Sequence, residues 1–121
     1  MIKLTLPLPP SVNTYYKHHC KFKHHATMYI GKEGKEFRQK VNEIVRNNNA
    51  DVRANLPLRL EVKIFYKTNH RNDLDNRMKP LQDALTHALV WEDDSLIDEL
   101  HIYRGDIDSK NPRVEVQISL L

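Results

Sequence analysis

The run from Leu58 to Tyr66 constrains the fold more than any other stretch of the chain. Leu58, Leu60, Val62, Ile64 and Tyr66 alternate with Arg59, Glu61, Lys63 and Lys67, giving one apolar and one charged face, the pattern of a half-buried strand. The period then changes. Leu74, Met78, Leu81, Leu85 and Leu89 recur at three- and four-residue steps, while Gln82, Asp83, Thr86 and His87 lie largely off that stripe, as in an amphipathic helix. Pro80 would break a helix interior but is tolerated in a first turn, so the helix is expected to start between Asp75 and Lys79 and to give out near Trp91.

Four aspartates bracket this helix, Asp73 and Asp75 before it and Asp93 and Asp94 after it. If Asp73, Leu74 and Asp75 are extended, alternation sets both carboxylates on one side and Leu74 on the other. Carboxylates so placed repel, and burial would raise their pKa values unless a cation sat between them. A hard divalent ion is the natural occupant. Lys79, four residues after Asp75, would bring its ammonium beside the carboxylates or beside a phosphate held by them. A two-layer fold would return Asp93 and Asp94 to the first pair. The same residues also suit a plainer reading, in which Asp73 and Asp75 cap the helix and Asp93-Asp94 is a solvated turn. Composition alone does not choose between the two.

The run Asp73-Leu74-Asp75-Asn76, with Lys79 beyond it, then an amphipathic helix and Trp91-Glu92-Asp93-Asp94, resembles the RusA family of Holliday-junction resolvases. The N-terminal Leu6-Pro7-Leu8-Pro9-Pro10-Ser11-Val12-Asn13-Thr14-Tyr15-Tyr16 is similar to that family's opening motif, and a length of 121 residues fits it. The resemblance implies metal-binding and catalytic roles for Asp73, Asp75 and Asp94, a catalytic, phosphate-facing role for Lys79, and an extra or supporting role for Asp93. It also implies a homodimer. Two departures bear on junction selectivity and base preference: His70-Arg71-Asn72 is less basic than the approach found in some relatives, and Leu96 stands where a glutamine is common.

With 19 basic against 16 acidic residues the net charge is +3 and the pI near 9.0. Because several acids cluster at the proposed site, the remaining surface is more positive than the total, which favours a polyanionic partner. The single cysteine, Cys20, excludes an internal disulfide and fits a reducing cytoplasm. No apolar run approaches a membrane span, so a soluble cytoplasmic protein without membrane contact is expected.

Elsewhere, Ile2, Leu4 and Leu6 alternate with Lys3 and Thr5 as a short strand ended by Pro7, Pro9 and Pro10. Tyr15 to His25 reads as a basic, aromatic-bearing loop suited to phosphates; its histidines and Cys20 match no common zinc spacing. Thr27 to Ile30 reads as a brief strand. Phe37, Val41, Ile44 and Val45 predict a second helix ending at Asn47-Asn48-Asn49. Leu96 to Tyr103 and Val114 to Leu120 predict two more strands, paired with each other as a hairpin across a turn in which Asp106 and Asp108 are ordinary loop residues. The expected architecture is α+β: one domain, a mixed β-sheet packed with two helices.

Phosphodiester hydrolysis develops charge on non-bridging oxygens and needs an activated water. Mg²⁺ takes oxygen ligands and polarises both phosphate and water, with Mn²⁺ as the substitute ion. Paired nicks in a two-fold symmetric four-way junction need two sites related by the same symmetry. Three functions remain open: a Mg²⁺-dependent resolvase of four-way DNA, a nuclease for flaps, forks and other branched DNA, and a catalytically silent DNA-binding module.

Overall fold

The computed structural model describes residues 1–22, 25–69 and 73–121. The chain runs β1 (Ile2–Pro7), α1 (Val12–Tyr15), β2 (Tyr16–Phe22), β3 (His25–Ile30), α2 (Lys32–Asn47), β4 (Leu58–Phe65), α3 (Met78–His87), β5 (Ile97–Arg104) and β6 (Arg113–Leu120), with 3₁₀ turns at Asp75–Arg77 and Asp94–Leu96. The main sheet has the order β1-β6-β4-β5, and β2 pairs with β3 as a separate hairpin. The α+β expectation holds, with a third, four-residue helix, α1, that the sequence did not suggest.

The period-two pattern of β4 does what it predicts. Leu58, Leu60, Val62 and Ile64 are buried, and Arg59, Glu61 and Lys63 are half-buried on the opposite face. Val114, Val116 and Ile118 of β6 and Leu4 and Leu6 of β1 continue the buried face. The helices complete the core with Phe37, Val41 and Val45 from α2 and Met78, Leu81, Ala84 and Leu85 from α3. The result is two layers, helices on one face of a sheet whose other face is polar.

The expected hairpin of the last two strands does not form. β6 lies between β1 and β4, antiparallel to both, and β5 pairs only with β4, in parallel, as Leu60↔Leu100 and Val62↔Ile102. The physical reason lies in the two patterns. β6 alternates without interruption and fits the middle of a sheet, whereas Asp98, Glu99 and His101 suit an edge. A parallel partner needs a long crossover, and the segment carrying α3 supplies it.

The loop expected from Tyr15 to His25 is instead, among the described residues, the end of α1, β2 and the start of β3, and Tyr15 and Tyr16 are 0% and 8% exposed and belong to the core. Gly34 of α2 makes this possible: a Cβ there would come within 3.0 Å of Tyr15 Cδ2 and of the Tyr15 carbonyl oxygen. Leu89, placed on the helix stripe by its spacing, falls beyond the end of α3 and is 40% exposed. Among the described residues, no helix is long and apolar enough to cross a membrane.

Candidate functional site

β4 ends at Phe65, and the chain re-enters the described structure at Asp73. Tyr66 organises this end of the sheet. Its hydroxyl donates to the Asp73 carbonyl oxygen at 3.4 Å, and the guanidinium groups of Arg77 and Arg104 lie 5.8 Å and 5.5 Å from its ring centroid. Arg77 also donates to the Pro9 carbonyl, which ties the proline-rich segment to the start of α3. His70, Arg71 and Asn72 lie outside the described residues.

Asp73 and Asp75 are exposed. The expected strand-like alternation between them is overturned, because Leu74 already adopts the αR conformation (φ −64°, ψ −36°) as the chain turns into the 3₁₀ segment. The capping reading gains no support either. Among the described residues, neither the 3₁₀ turn nor α3 carries a side-chain cap hydrogen bond at its N-terminus. Two carboxylates at this helix entrance are therefore committed neither to capping nor to a core contact. Lys79, in the first turn of α3, is exposed, and its Nζ lies 5.5 Å from the centroid of the Tyr16 ring.

Asp94 opens the second 3₁₀ turn and is half-buried. Asp93, expected as an extra ligand or supporting group, is used locally: its Oδ2 accepts from the Ser95 N–H at 3.0 Å, and hydrogen bonding from Ser95, its side chain first and then its backbone, holds the Asp93 pKa below the usual carboxylate range. It fixes the turn that presents Asp94. The sequence reading missed Asp83. One helical turn after Lys79, it is half-buried, and burial followed by the negative charge of Asp94 pushes its pKa up. Its off-stripe position resembled an ordinary solvent-facing residue, and only the return of the chain after α3 reveals a carboxylate facing it.

Asp93 and Asp94 do not come back to the first pair within one chain. Leu58 pairs with Ile97 and Ile64 with Arg104, so Asp94 sits at the end where β4 and β5 begin. Asp73 sits at the end where they finish, beside Tyr66 and Arg104. Ile97 to Arg104 spans seven residue steps, roughly 23 Å at strand rise. Among the described residues, no group of three or more His, Cys, Asp or Glu side chains is gathered closely enough to hold a metal ion. The candidate carboxylates offer oxygen only, the right chemistry for a hard divalent ion, but among the described residues one chain alone does not gather three of them. The zinc alternative rests on side chains from His18 to His25, which are outside those described.

Residues 7–119 match the family described as Endodeoxyribonuclease RusA. The chain belongs to the RusA endodeoxyribonuclease family. It is 32% identical over 116 residues to the crossover junction endodeoxyribonuclease RusA of Shigella sonnei, covering 96% of this chain and 92% of the relative. The RusA protein of Enterobacteria phage HK97 is 35% identical over 103 residues, covering 85% and 82%. Both the proline-rich segment and the two acidic segments fall inside the RusA match, so the family assignment covers every part of the candidate site.

Proposed function

We propose that this protein is a crossover junction endodeoxyribonuclease, which resolves four-way DNA by paired nicks in Mg²⁺, as a homodimer in the cytoplasm. The observation that carries the reading is the RusA family match over residues 7–119, whose span contains exposed Asp73 and Asp75 at a helix entrance where neither serves as a cap. A silent binding module would leave that pair without a purpose.

Asp73, Asp75 and Asp94 are the carboxylates that would hold Mg²⁺, and Lys79 the cation that would face the scissile phosphate. Bound there, the ion supplies charge to the non-bridging oxygens and acidity to the attacking water. Because one chain keeps Asp94 away from Asp73 and Asp75, the donor set is completed between two chains. β5 is the edge through which they meet. It is bonded on one side only, and Leu100 and Tyr103 on it are 42% and 45% exposed. Antiparallel pairing of two copies through this edge would satisfy its unpaired backbone groups about a two-fold axis. The same pairing reverses the strand direction across the axis. It carries Asp94 of the partner subunit toward the end of the sheet that holds Asp73 and Asp75.

Strand-specific cleavage of a synthetic four-way junction, beside linear duplex and flap controls, tests the proposal. Symmetric nicks in opposing strands of the junction, only with Mg²⁺, are expected. Cuts spread over flaps and forks would make the protein a general branched-DNA nuclease; binding without cleavage in any divalent ion would sink the catalytic reading. Asp75→Asn is expected to abolish cleavage and leave junction binding intact, since it removes ligand charge at nearly constant size.

A further inference from the structure

Lysine is a poor positional group by itself. Its ammonium rides on a four-carbon stem, and holding that stem still costs rotamer entropy. Lys79 is exposed on the first turn of α3, where nothing in the helix backbone selects one rotamer for it. The Tyr16 ring lies beside it, with Nζ 5.5 Å from the ring centroid, a distance at which the negative face of an aromatic ring attracts a cation.

The ring is itself held. Tyr16 is 8% exposed and meets Tyr15 edge to face, with centroids 4.7 Å apart and planes at 71°. Tyr15 is fully buried, and its hydroxyl accepts a hydrogen bond from Arg38 Nε at 2.6 Å. Arg38 stands on α2, and Gly34, one turn earlier, is the residue whose missing Cβ lets Tyr15 approach that helix. A rigid series therefore runs from α2 through Tyr15 and Tyr16 to the ammonium of Lys79.

We infer that Tyr16 is a positioning residue for Lys79: its ring face holds the ammonium where the proposed cleavage reaction needs it. This rests on the reading of Lys79 as a catalytic group. The aromatic face is the working part, not the phenol. Tyr16 Oη is buried and has no hydrogen-bond partner among the described residues, so the hydroxyl costs stability where it stands. The proline-rich opening segment thereby acquires a mechanical purpose, since α1 and the first residue of β2 deliver this ring pair to the foot of α3.

Four variants test this: Tyr16→Phe, Tyr16→Leu, Lys79→Ala and the double variant Tyr16→Leu/Lys79→Ala. In metal-free protein, NMR should show the Lys79 ε-methylene protons shifted upfield by the ring, in the wild type and in Tyr16→Phe, with the shift lost in Tyr16→Leu. At saturating Mg²⁺ and junction, Tyr16→Leu should cut the cleavage rate about ten-fold, the size of a cation–π anchor, with junction affinity unchanged. Tyr16→Phe should cleave at the wild-type rate and melt no lower than the wild type. In the Lys79→Ala background, Tyr16→Leu should add no further loss. A Tyr16→Leu protein that keeps the upfield shift or the full rate overturns the inference, as does a Tyr16→Leu loss that simply multiplies with that of Lys79→Ala. If Lys79→Ala alone cleaves normally, the catalytic assignment of Lys79 falls and this inference with it. If Lys79→Ala is impaired and Tyr16→Leu is not, only the inference falls.

Discussion

Asp83 carries its charge in surroundings that oppose it, part of its solvation lost to burial and the Asp94 carboxylate nearby. In the folded chain it therefore holds a proton more tightly than in the unfolded chain. The fold is favoured by this group when the carboxyl is protonated, below its ordinary value of 3.8, and that advantage is lost as pH rises through the raised folded value. At neutral pH the full penalty is present. Asp83→Asn is thus expected to raise the melting temperature at pH 7 and to leave it unchanged near pH 3, measured by thermal unfolding at the two pH values. Equal melting temperatures at pH 7 would show that the environment of Asp83 does not oppose its charge. Asp73, Asp75, Lys79 and Asp94 stood out in the sequence because their types and spacing are unusual beside one helix. Asp83 and Tyr16 did not, because their significance comes from a partner far along the chain. For Asp83 that partner is Asp94, and for Tyr16 it is Lys79. Periodicity tells which face of an element a residue occupies and says nothing about what arrives to meet it.

Helix ends show a similar division. Both long helices finish in the same six-residue device. After α2, the Asn49 N–H donates to the Arg46 carbonyl at 3.1 Å and the Ala50 N–H to the Val45 carbonyl at 2.9 Å. After α3, Leu89 donates to Thr86 at 3.0 Å and Val90 to Leu85 at 3.2 Å. This is the Schellman pattern, which requires a left-handed residue at its turn. Asn49 and Leu89 adopt φ of 53° and 69°. Asparagine tolerates that conformation; leucine does not. The Asn47-Asn48-Asn49 run was therefore legible as a stop, whereas the end of α3 was hidden by a leucine that continues the apolar spacing. Leu89 buys its position with strain, and its side chain is 40% exposed, so it returns little through burial. Leu89→Gly should stabilise the protein by up to about 1 kcal/mol, seen as a higher urea midpoint with an unchanged slope. Asn49→Gly should gain much less. Equal effects at the two positions would remove strain at Leu89 as the explanation. Strand pairing was the least legible feature at this scale. The apolar content of β5 and the alternation of β6 identified two strands, but the connection between them contains Gly105, Ser109 and Pro112, a composition that fits a tight hairpin as well as the longer path the chain takes.

At the scale of the whole molecule, the direction of β5 decides where chemistry can occur. A parallel β4–β5 pair places the end of one strand and the start of the other at opposite ends of the sheet, so the acidic segments that flank α3 lie toward opposite ends of the two strands. Had β5 run antiparallel to β4, as a hairpin or meander would allow, Asp94 would have begun its strand beside Asp73 and a single chain could have assembled the site. In the proposed homodimer, antiparallel joining of two β5 edges would restore that proximity between chains and give two equivalent sites, as paired nicks require. Mixed dimers give a sharp test. Asp75→Asn and Asp94→Asn are each expected to be inactive alone. In a heterodimer of the two, one shared site takes both altered residues, and the other takes Asp73 and Asp75 from the Asp94→Asn chain and Asp94 from the Asp75→Asn chain, all native. Mixing the two inactive proteins under conditions of subunit exchange should therefore restore Mg²⁺-dependent nicking of one strand per junction without full resolution. Sites confined to single chains predict no activity in the mixture, because every chain in it would carry a broken site. A Pro at position 101 in both variants would block β5 edge pairing, and with it the restored nicking, if the chains meet through this strand.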